Sequence, residues 1–240
     1  MPVDIPLTAL GLFGDAIDFI INEQEAQTGG VQVGGLAEVL AKTGTHRWVS
    51  ALAVVVAIAI ALPAGLWIGH VGKGEVLATS ISNVGRAVPE LALIALAVAY
   101  LGIGTKNLTF VLVLLAIPPI LTNTYVAIRQ VDRQTVDAAK GVGMNGLAVV
   151  TRVEMPLAVP TIFAGIRTSA VNVIATATIA PLVGVLTLGD YILGRNVYGD
   201  AGVVAGAICV ALLAVVVEAF LAGLQKLLTP RALRSAEPAR

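Results

Sequence analysis

The chain has 240 residues, 57% of them hydrophobic and only 12% charged, with a formal net charge of zero and a mean hydropathy of +0.91. Soluble globular domains carry about 25% charged residues, so that class is excluded, and a neutral balance offers nucleic acid no basic footprint. Cys209 is the lone cysteine and sits in an apolar segment, which rules out a disulfide framework or a cysteine metal site and leaves it a small buried helix residue.

In chain order, the first 40 residues hold Asp4, Asp15, Asp18, Glu23, Glu25 and Glu38 but neither Lys nor Arg. A signal peptide needs a basic start and a small-residue cleavage site, and both are missing. Residues 1–45 thus form an acidic leader. Within it, 7–21 is apolar but interrupted by Asp15 and Asp18, too short and too polar for a span; it is either an interfacial amphipathic helix or disordered. Residues 48–68 are the first span. Trp48 and Trp67 stand 19 residues apart, about 28 Å along a helix and close to the roughly 30 Å of hydrocarbon, as anchors at opposite interfaces do. Pro63 kinks this span near one end.

After a polar loop at 70–75, residues 76–101 are apolar yet contain Asn83, Arg86, Pro89 and Glu90. That is the pattern of a broken helix, since irregular backbone at depth persists only against protein or a water-filled cavity. Residues 107–128 give a third span, interrupted by Pro118 and Pro119 and ending in Asn123 and Thr124; the polar stretch 129–156 follows. A fourth span covers 158–183, with Pro160 at its start and a polar middle of Ser169, Asn172, Thr176 and Thr178. Residues 184–200 make a loop paced by Gly184, Gly189, Gly194 and Gly199, 201–224 is the fifth span, and the tail from Gln225 is basic.

Five spans put 129–156 on the same side as the 70–75 loop and the C-terminus. That side holds Lys73, Arg129, Arg133, Lys140, Arg152, Lys226, Arg231, Arg234 and Arg240, against Lys42, Arg47, Lys106 and Arg195 on the other. The excess of Lys and Arg marks the cytoplasmic side, so the leader is extracytoplasmic. A six-span count would need 148–166 to cross, and Arg152 and Glu154 oppose it.

The polar stretch carries the densest short-loop charge in the chain. Val131, Val136, Ala138, Ala139 and Val142 alternate with Asp132, Arg133, Asp137 and Lys140 in an amphipathic helix pattern; Gly141, Gly143 and Gly146 break it, and 147–153 resumes a helix that Pro156 is expected to stop. Small residues at Ala138, Ala139 and Gly143 let another surface approach closely. The run from Gly141 to Gly146 also fits G-x-G-x-x-G, but it follows a helix instead of a strand, so it does not read as a nucleotide loop. The phosphate-loop pattern G-x-x-x-x-G-K-[ST] does not occur in the sequence.

Charges at mid-membrane cost about 2.5–3.5 kcal/mol each on insertion scales and should face protein or water. Arg86 and Glu90, flanking Pro89, are therefore either gate residues of a translocation path or a structural pair at a helix break. Arg167 is close enough to its helix start to snorkel. Asn123, Asn172, Thr176 and Thr178 either line a path or bond helices together. Gly65-x-x-x-Gly69 and Gly202-x-x-x-Gly206 are helix-packing faces, and His46 and His70 are too far apart in the chain to suggest a metal pair. No Ser–His–Asp arrangement or carboxylate pair points to an enzyme.

The spacing Asp137-Ala138-Ala139, Gly143, Val153, Met155, Pro156 resembles the signature E-A-A, three residues, G, nine residues, I, any residue, L-P of importer permeases in the ATP-binding-cassette (ABC) family. From about residue 40 to 231 the chain resembles one branch, the membrane subunit of glycine betaine, carnitine and choline importers. The resemblance rests on Thr43-Gly44-Thr45-His46, the run from Ala87 to Leu93, Leu101-Gly102-Ile103-Gly104, 119–125 with Val131-Asp132, the run from Met155 to Pro160, Ala164-Gly165-Ile166-Arg167-Thr168, Thr176-Ala177-Thr178 and the run from Leu188 to Ile192.

This resemblance implies an all-α polytopic membrane protein of the type I importer permease fold. About five transmembrane helices would lie in a permease domain at 46–228, with a cytoplasmic coupling loop at 129–157 and a basic tail at 229–240. It implies that Asp137, Ala138, Ala139, Lys140, Gly141, Gly143, Met144 and Pro156 dock an ATPase subunit that alone holds ATP and Mg, this chain binding no cofactor. It also implies a second permease, identical or paralogous, an extracytoplasmic solute-binding protein, and a place in the bacterial plasma membrane. The chain departs from many relatives in having Glu90 and Arg86 beside Pro89 and in its long leader; some relatives carry a fused solute-binding domain, which is not expected here. Aromatic residues make up 5% of the chain and are scattered in sequence, so the expected home of a cation–π cage for quaternary ammonium is the separate binding protein. Alternatives are an importer of another small solute, such as an amino acid or a thiourea-type betaine, a secondary transporter, whose expected inverted repeat is not seen, and a membrane-bound assembly factor.

Overall fold

The computed structural model describes residues 9–74, 76, 79, 80, 83, 85 and 87–230. Helix α1 (Ala9–Ile21) leads into an antiparallel hairpin of β1 (Glu23–Glu25) and β2 (Gln32–Gly34), with Glu23 opposite Gly34 and Glu25 opposite Gln32. The described part of the leader is therefore folded, and not a disordered stretch. Ala16 and Phe19 are buried with Leu188, Tyr191 and Ala205, while Phe13, Ile17 and Ile21 form an exposed stripe four residues apart. An outward apolar stripe is what a helix lying at a bilayer surface requires.

Helix α2 (Gly35–Val71) begins well before Trp48, the expected start of the first span. Glu38 accepts the Gly34 N–H at 2.7 Å, and Lys42 bridges back to Glu38 one turn on, so the leader's end is wound into the same helix. Trp48 and Trp67 both point outward, as interfacial anchors do. The helix closes at Gly72, which is left-handed and donates its N–H to the Ile68 carbonyl.

Pro89, in extended conformation, marks the break expected in 76–101, and α3 (Glu90–Leu101) starts immediately after it. Helix α4 (Thr105–Arg129) carries Pro118 and Pro119 inside it. It packs along α2 with the backbones in close approach: a Cβ on Gly65 or Gly69 would lie 2.7 Å from the side chain of Thr124 or Ile128. The Gly65–Gly69 face thus does what its spacing predicts.

Residues 133–154 form α5 (Arg133–Gly141), α6 (Gly146–Val149) and one wide π turn (Val150–Glu154), which runs straight into α7 (Met155–Thr176). Pro156 therefore does not stop the helix. It lies in the first turn of α7, and the widened turn before it, closed by Met155 N–H to the Val150 carbonyl, takes up the missing donor and the ring. Helix α7 tightens into a 3-10 segment (Ala177–Val183), followed by α8 (Gly189–Leu193) and α9 (Arg195–Leu228). Gly199, at φ 65°, kinks α9 next to the expected start of the fifth span at Ala201.

Among the described residues, four helical stretches are long and apolar enough to cross a membrane: Gly35–Val71, Thr105–Arg129, Gly146–Val183 and Arg195–Leu228, with Glu90–Leu101 as a shorter apolar helix. A core shared by α2, α4 and α7 runs through Ala53, Ala57, Leu108, Leu112, Ile120, Ala170 and Val173, and Val217 and Leu221 of α9 pack against it. Ser169 Oγ crosses that core to donate to the Ala116 carbonyl at 2.7 Å, so this member of the polar middle of α7 bonds helix to helix.

Candidate functional site: a docking elbow and a mid-helix ion pair

At one end of the bundle, 133–154 forms a projecting elbow whose shape follows from its caps. Asp132 accepts the Gln134 N–H at 3.0 Å and starts α5; Asn145 accepts the Ala148 N–H at 2.9 Å and starts α6. Between them, Gly143 at φ 85° lets the Met144 N–H reach Ala139 O (3.1 Å) and the Gly143 N–H reach Lys140 O (2.9 Å). This is a paired C-cap that only a residue tolerating left-handed backbone supplies without strain.

The expected docking residues divide between two faces. Asp137, Ala138, Lys140, Gly141 and Gly143 are exposed. Ala139 is buried with Val131, Val136 and Val149, and Met144 packs against that small core, so these two hold the elbow together from inside; Pro156 is half-buried at its root. Two residues the sequence reading missed stand at the tip: Val142 and Leu147, 79% and 75% exposed. The signal for them was weak, because each sits in a run already read as ordinary amphipathic helix.

The elbow is tied to the bundle. His70, in the last turn of α2, bonds through Nδ1 to Glu154 Oε2 at 2.7 Å, and Glu154 is only 5% exposed. Gly146 lies under the same imidazole, 3.3 Å from Nε2 to an added Cβ. His46, by contrast, is buried in α2 against the Ile174 carbonyl at 2.9 Å.

At the opposite end, three aromatic rings that are scattered in sequence converge: Phe19, Tyr191 and Tyr198 meet edge to face, with centroids 4.9–6.2 Å apart. Lys42 fills the place a ligand cation would take. Its Nζ sits 4.1 Å from the Tyr191 ring centre and 4.6 Å from that of Tyr198, and bonds Asp190 (2.5 Å), Glu38 (2.8 Å) and the Tyr198 hydroxyl (2.9 Å). Burial, and then the charge of Glu38, push the Tyr191 phenol well above its ordinary pKa. The cluster fastens leader, α2 and α8 together.

Among the described residues, the expected path residues sit at the start of α3, in α4, in α7 and in its 3-10 continuation. Arg86 lies outside the described residues. Pro89 and Glu90 are exposed at the start of α3. Asn123 donates to its own helix at the Pro119 carbonyl, beside the close approach of Gly165, and Thr178 donates to Ala175 O. Thr176 is buried. Asn172 is exposed and lines a cavity of about 440 Å³ with Ala164, Arg167, Thr168, Val171 and Glu218.

Arg167 is paired between helices. It reaches across to α9, where Nε donates to Glu218 Oε1 at 2.8 Å, Nη2 donates to the same oxygen, and Nη1 donates to Gln225 Oε1 at 2.9 Å. The pair joins the interior of α7 to the last third of α9, two of the stretches long and apolar enough to cross a membrane. Glu218 was overlooked in the sequence. The signal was there: an acid within the apolar run of the fifth span, with an arginine inside the fourth to pair it.

A family model described as binding-protein-dependent transport system inner membrane component matches residues 48–233. The chain is 37% identical over 198 residues to the glycine betaine/carnitine/choline transport system permease protein OpuCB of Bacillus subtilis, covering 82% of this chain and 91% of that one. It is 39% identical to the carnitine transport permease protein OpuCB of Listeria monocytogenes, with the same coverage. It is also 35% identical over 162 residues, 67% of this chain, to part (29%) of the ergothioneine transport permease/ergothioneine binding protein EgtU of Helicobacter pylori. Among solved structures, the inward-facing MetNI methionine ABC transporter matches with a TM-score of 0.71 at 17% identity, covering 81% of this chain and 98% of that one, a likeness of fold.

Proposed function

We propose, of a chain that belongs to the family of binding-protein-dependent transport system inner membrane components, that it is the membrane-spanning subunit of an ATP-driven importer of quaternary ammonium osmoprotectants: glycine betaine, carnitine or choline. It is a transport subunit and not the ATPase. The observation that carries this reading is the elbow at 133–154. Its caps fix a helix–turn–helix, its outer face offers Ala138, Gly141, Gly143, Val142 and Leu147, and His70 ties its root to a long helix of the bundle. A rigid projection with small residues and two apolar tips is suited to a groove on a partner that delivers work.

On this reading the elbow is cytoplasmic, as the Lys and Arg asymmetry supports, and two ATPase subunits holding ATP and Mg seat on it. The hairpin and the Lys42 cluster face outward, where a solute-binding protein delivers its cargo. A second permease, identical or paralogous, completes the path. The solute class is supported by the relatives, whose printed substrates are glycine betaine, carnitine and choline. Lys42 occupies the ring cluster of Tyr191 and Tyr198, so on this reading tight recognition of the quaternary ammonium belongs to the binding protein.

A second reading within the same class is import of a thiourea-type betaine, favoured by the likeness to the ergothioneine permease. The assembled transporter in liposomes decides. Substrate-stimulated ATP hydrolysis with glycine betaine, choline or carnitine is expected. Stimulation by ergothioneine alone would favour the second reading, and failure of this chain to co-purify with an ATPase subunit would overturn both.

A further inference from the structure

We infer that the groove between α2, α7 and α9 holds one acyl chain of an anionic phospholipid, whose phosphate pairs with Arg47 at the groove's leader end. The inference does not depend on which solute is carried.

The groove exists because α2 and α9 hardly touch each other directly, although both pack on α7. Val54 and Ile58 of α2 form one wall, Val217 and Phe220 of α9 the other, and Ile166 and Ala170 of α7 the floor. His46 bonds the Ile174 carbonyl at 2.9 Å, so the leader end of the groove is where residues 46–47 meet 174. Arg47 stands there. Among the described residues that line the groove, all but Arg47 and Ser50 are apolar. Water finds almost no hydrogen-bond partners on such walls, and hydrocarbon loses nothing by entering.

Shape narrows the choice of occupant. From Arg47 to Ile58 the groove follows α2 for about 16 Å. Its volume of about 330 Å³ then gives a mean cross-section of about 20 Å², some 5 Å across. A helix with its side chains measures about 10–12 Å across and cannot enter. An extended hydrocarbon chain is thin enough.

The sequence places the mouth at a membrane interface. Arg47 is the last charged residue before a stretch free of Asp, Glu, Lys and Arg that runs to Gly72. As helix that stretch covers about 37 Å, enough to cross roughly 30 Å of hydrocarbon. Trp48, beside Arg47, is 65% exposed, as an interfacial tryptophan is. The groove's length of about 16 Å is then about the depth of a single leaflet.

Charge selects the headgroup. Arg47 is exposed, and its guanidinium has neither an ion pair nor a hydrogen bond among the described residues. A phosphate matches its fork of donors. A zwitterionic headgroup would bring its own ammonium beside the like charge of Arg47, so a net-negative one is preferred. Seated this way, the acyl chain supplies the contact that α2 and α9 lack.

The test is native mass spectrometry of the full chain, purified from membranes in its native assembly and exposed to equal amounts of dioleoyl phosphatidylglycerol and dioleoyl phosphatidylcholine. Wild type is expected to retain phosphatidylglycerol with about ten-fold preference, the worth of one charge-assisted pair. Arg47→Gln should bring the preference within about two-fold of unity, and Arg47→Lys should keep most of it. Ala51→Phe, at an exposed position lining the groove, should end retention of both lipids by filling the furrow while Arg47 remains. A wild type that retains neither lipid overturns the inference, as does an Arg47→Gln protein with the wild-type preference. Undiminished retention by Ala51→Phe overturns it too, and that variant decides alone if Arg47→Gln fails to reach the membrane. Val55→Cys in a Cys209→Ser background tests the rival occupant, a second copy of this chain. Efficient disulfide cross-linking between two copies at that position would show protein over the groove and overturn the inference; labelling by a lipid-soluble maleimide without cross-linking supports it.

Discussion

Gly143 is left-handed at φ 85° with no atom within 4 Å of an added Cβ, so its substitution is resisted by backbone conformation and not by crowding. Gly143→Val costs about 1–2 kcal/mol of local strain and loosens the bond from Met144 N–H to Ala139 O. The expected outcome is normal insertion, with uptake and co-purification of the ATPase both lost; normal uptake by this variant would remove the elbow from the mechanism. His70 makes the complementary case. Replacing it by Ala leaves the buried Glu154 carboxylate without its 2.7 Å partner, a loss of about 1–3 kcal/mol. The purified protein should melt lower, whereas Glu154→Gln, which keeps a side chain able to bond the imidazole, should melt closer to wild type. Equal melting of all three proteins would deny the latch its role.

Most elements were legible because blocks of apolar residues long enough to cross a bilayer leave few alternatives. The third span matched Thr105–Arg129 nearly to its ends, and Gly199 kinks α9 beside the expected start of the fifth span. What was not legible depended on continuity. Nothing in the composition of 35–47 announces that the leader winds into α2, and Pro156 looks like a stop until the π turn absorbs it. The Gly65-x-x-x-Gly69 face was readable because close packing demands small residues at that spacing. It gives a prediction at this scale: Gly65→Leu drives a side chain into Thr124 and should cost about 3 kcal/mol or more, seen as loss of protein from the membrane or a sharply lowered melting temperature. Gly44→Ala, with nothing within 4 Å in the same helix, should be neutral or stabilise by up to about 1 kcal/mol. If the two variants melt alike, α2 and α4 do not pack as described.

Across the whole molecule, charge counts indicated sidedness but not partners. Lys42 and Asp190 are 148 residues apart, and Arg167 and Glu218 are 51 apart, distances over which no local pattern links two side chains. Sidedness itself turns on one element. Helix α3 has 12 residues, about 18 Å, which falls short of the roughly 30 Å of hydrocarbon unless the chain before Pro89 crosses with it. If it crosses, three passes separate the β1–β2 hairpin from the elbow and the two lie on opposite sides; if it only dips in and returns, they lie on the same side. Single cysteines at Thr28 and Ala138, both exposed, in a Cys209→Ser background distinguish these arrangements. An impermeant maleimide should label Thr28→Cys in right-side-out vesicles and Ala138→Cys only in inverted ones. Labelling of both from one face would make the broken helix re-entrant, set an even number of passes between leader and elbow, and put the acidic hairpin beside the ATPase instead of beside the binding protein.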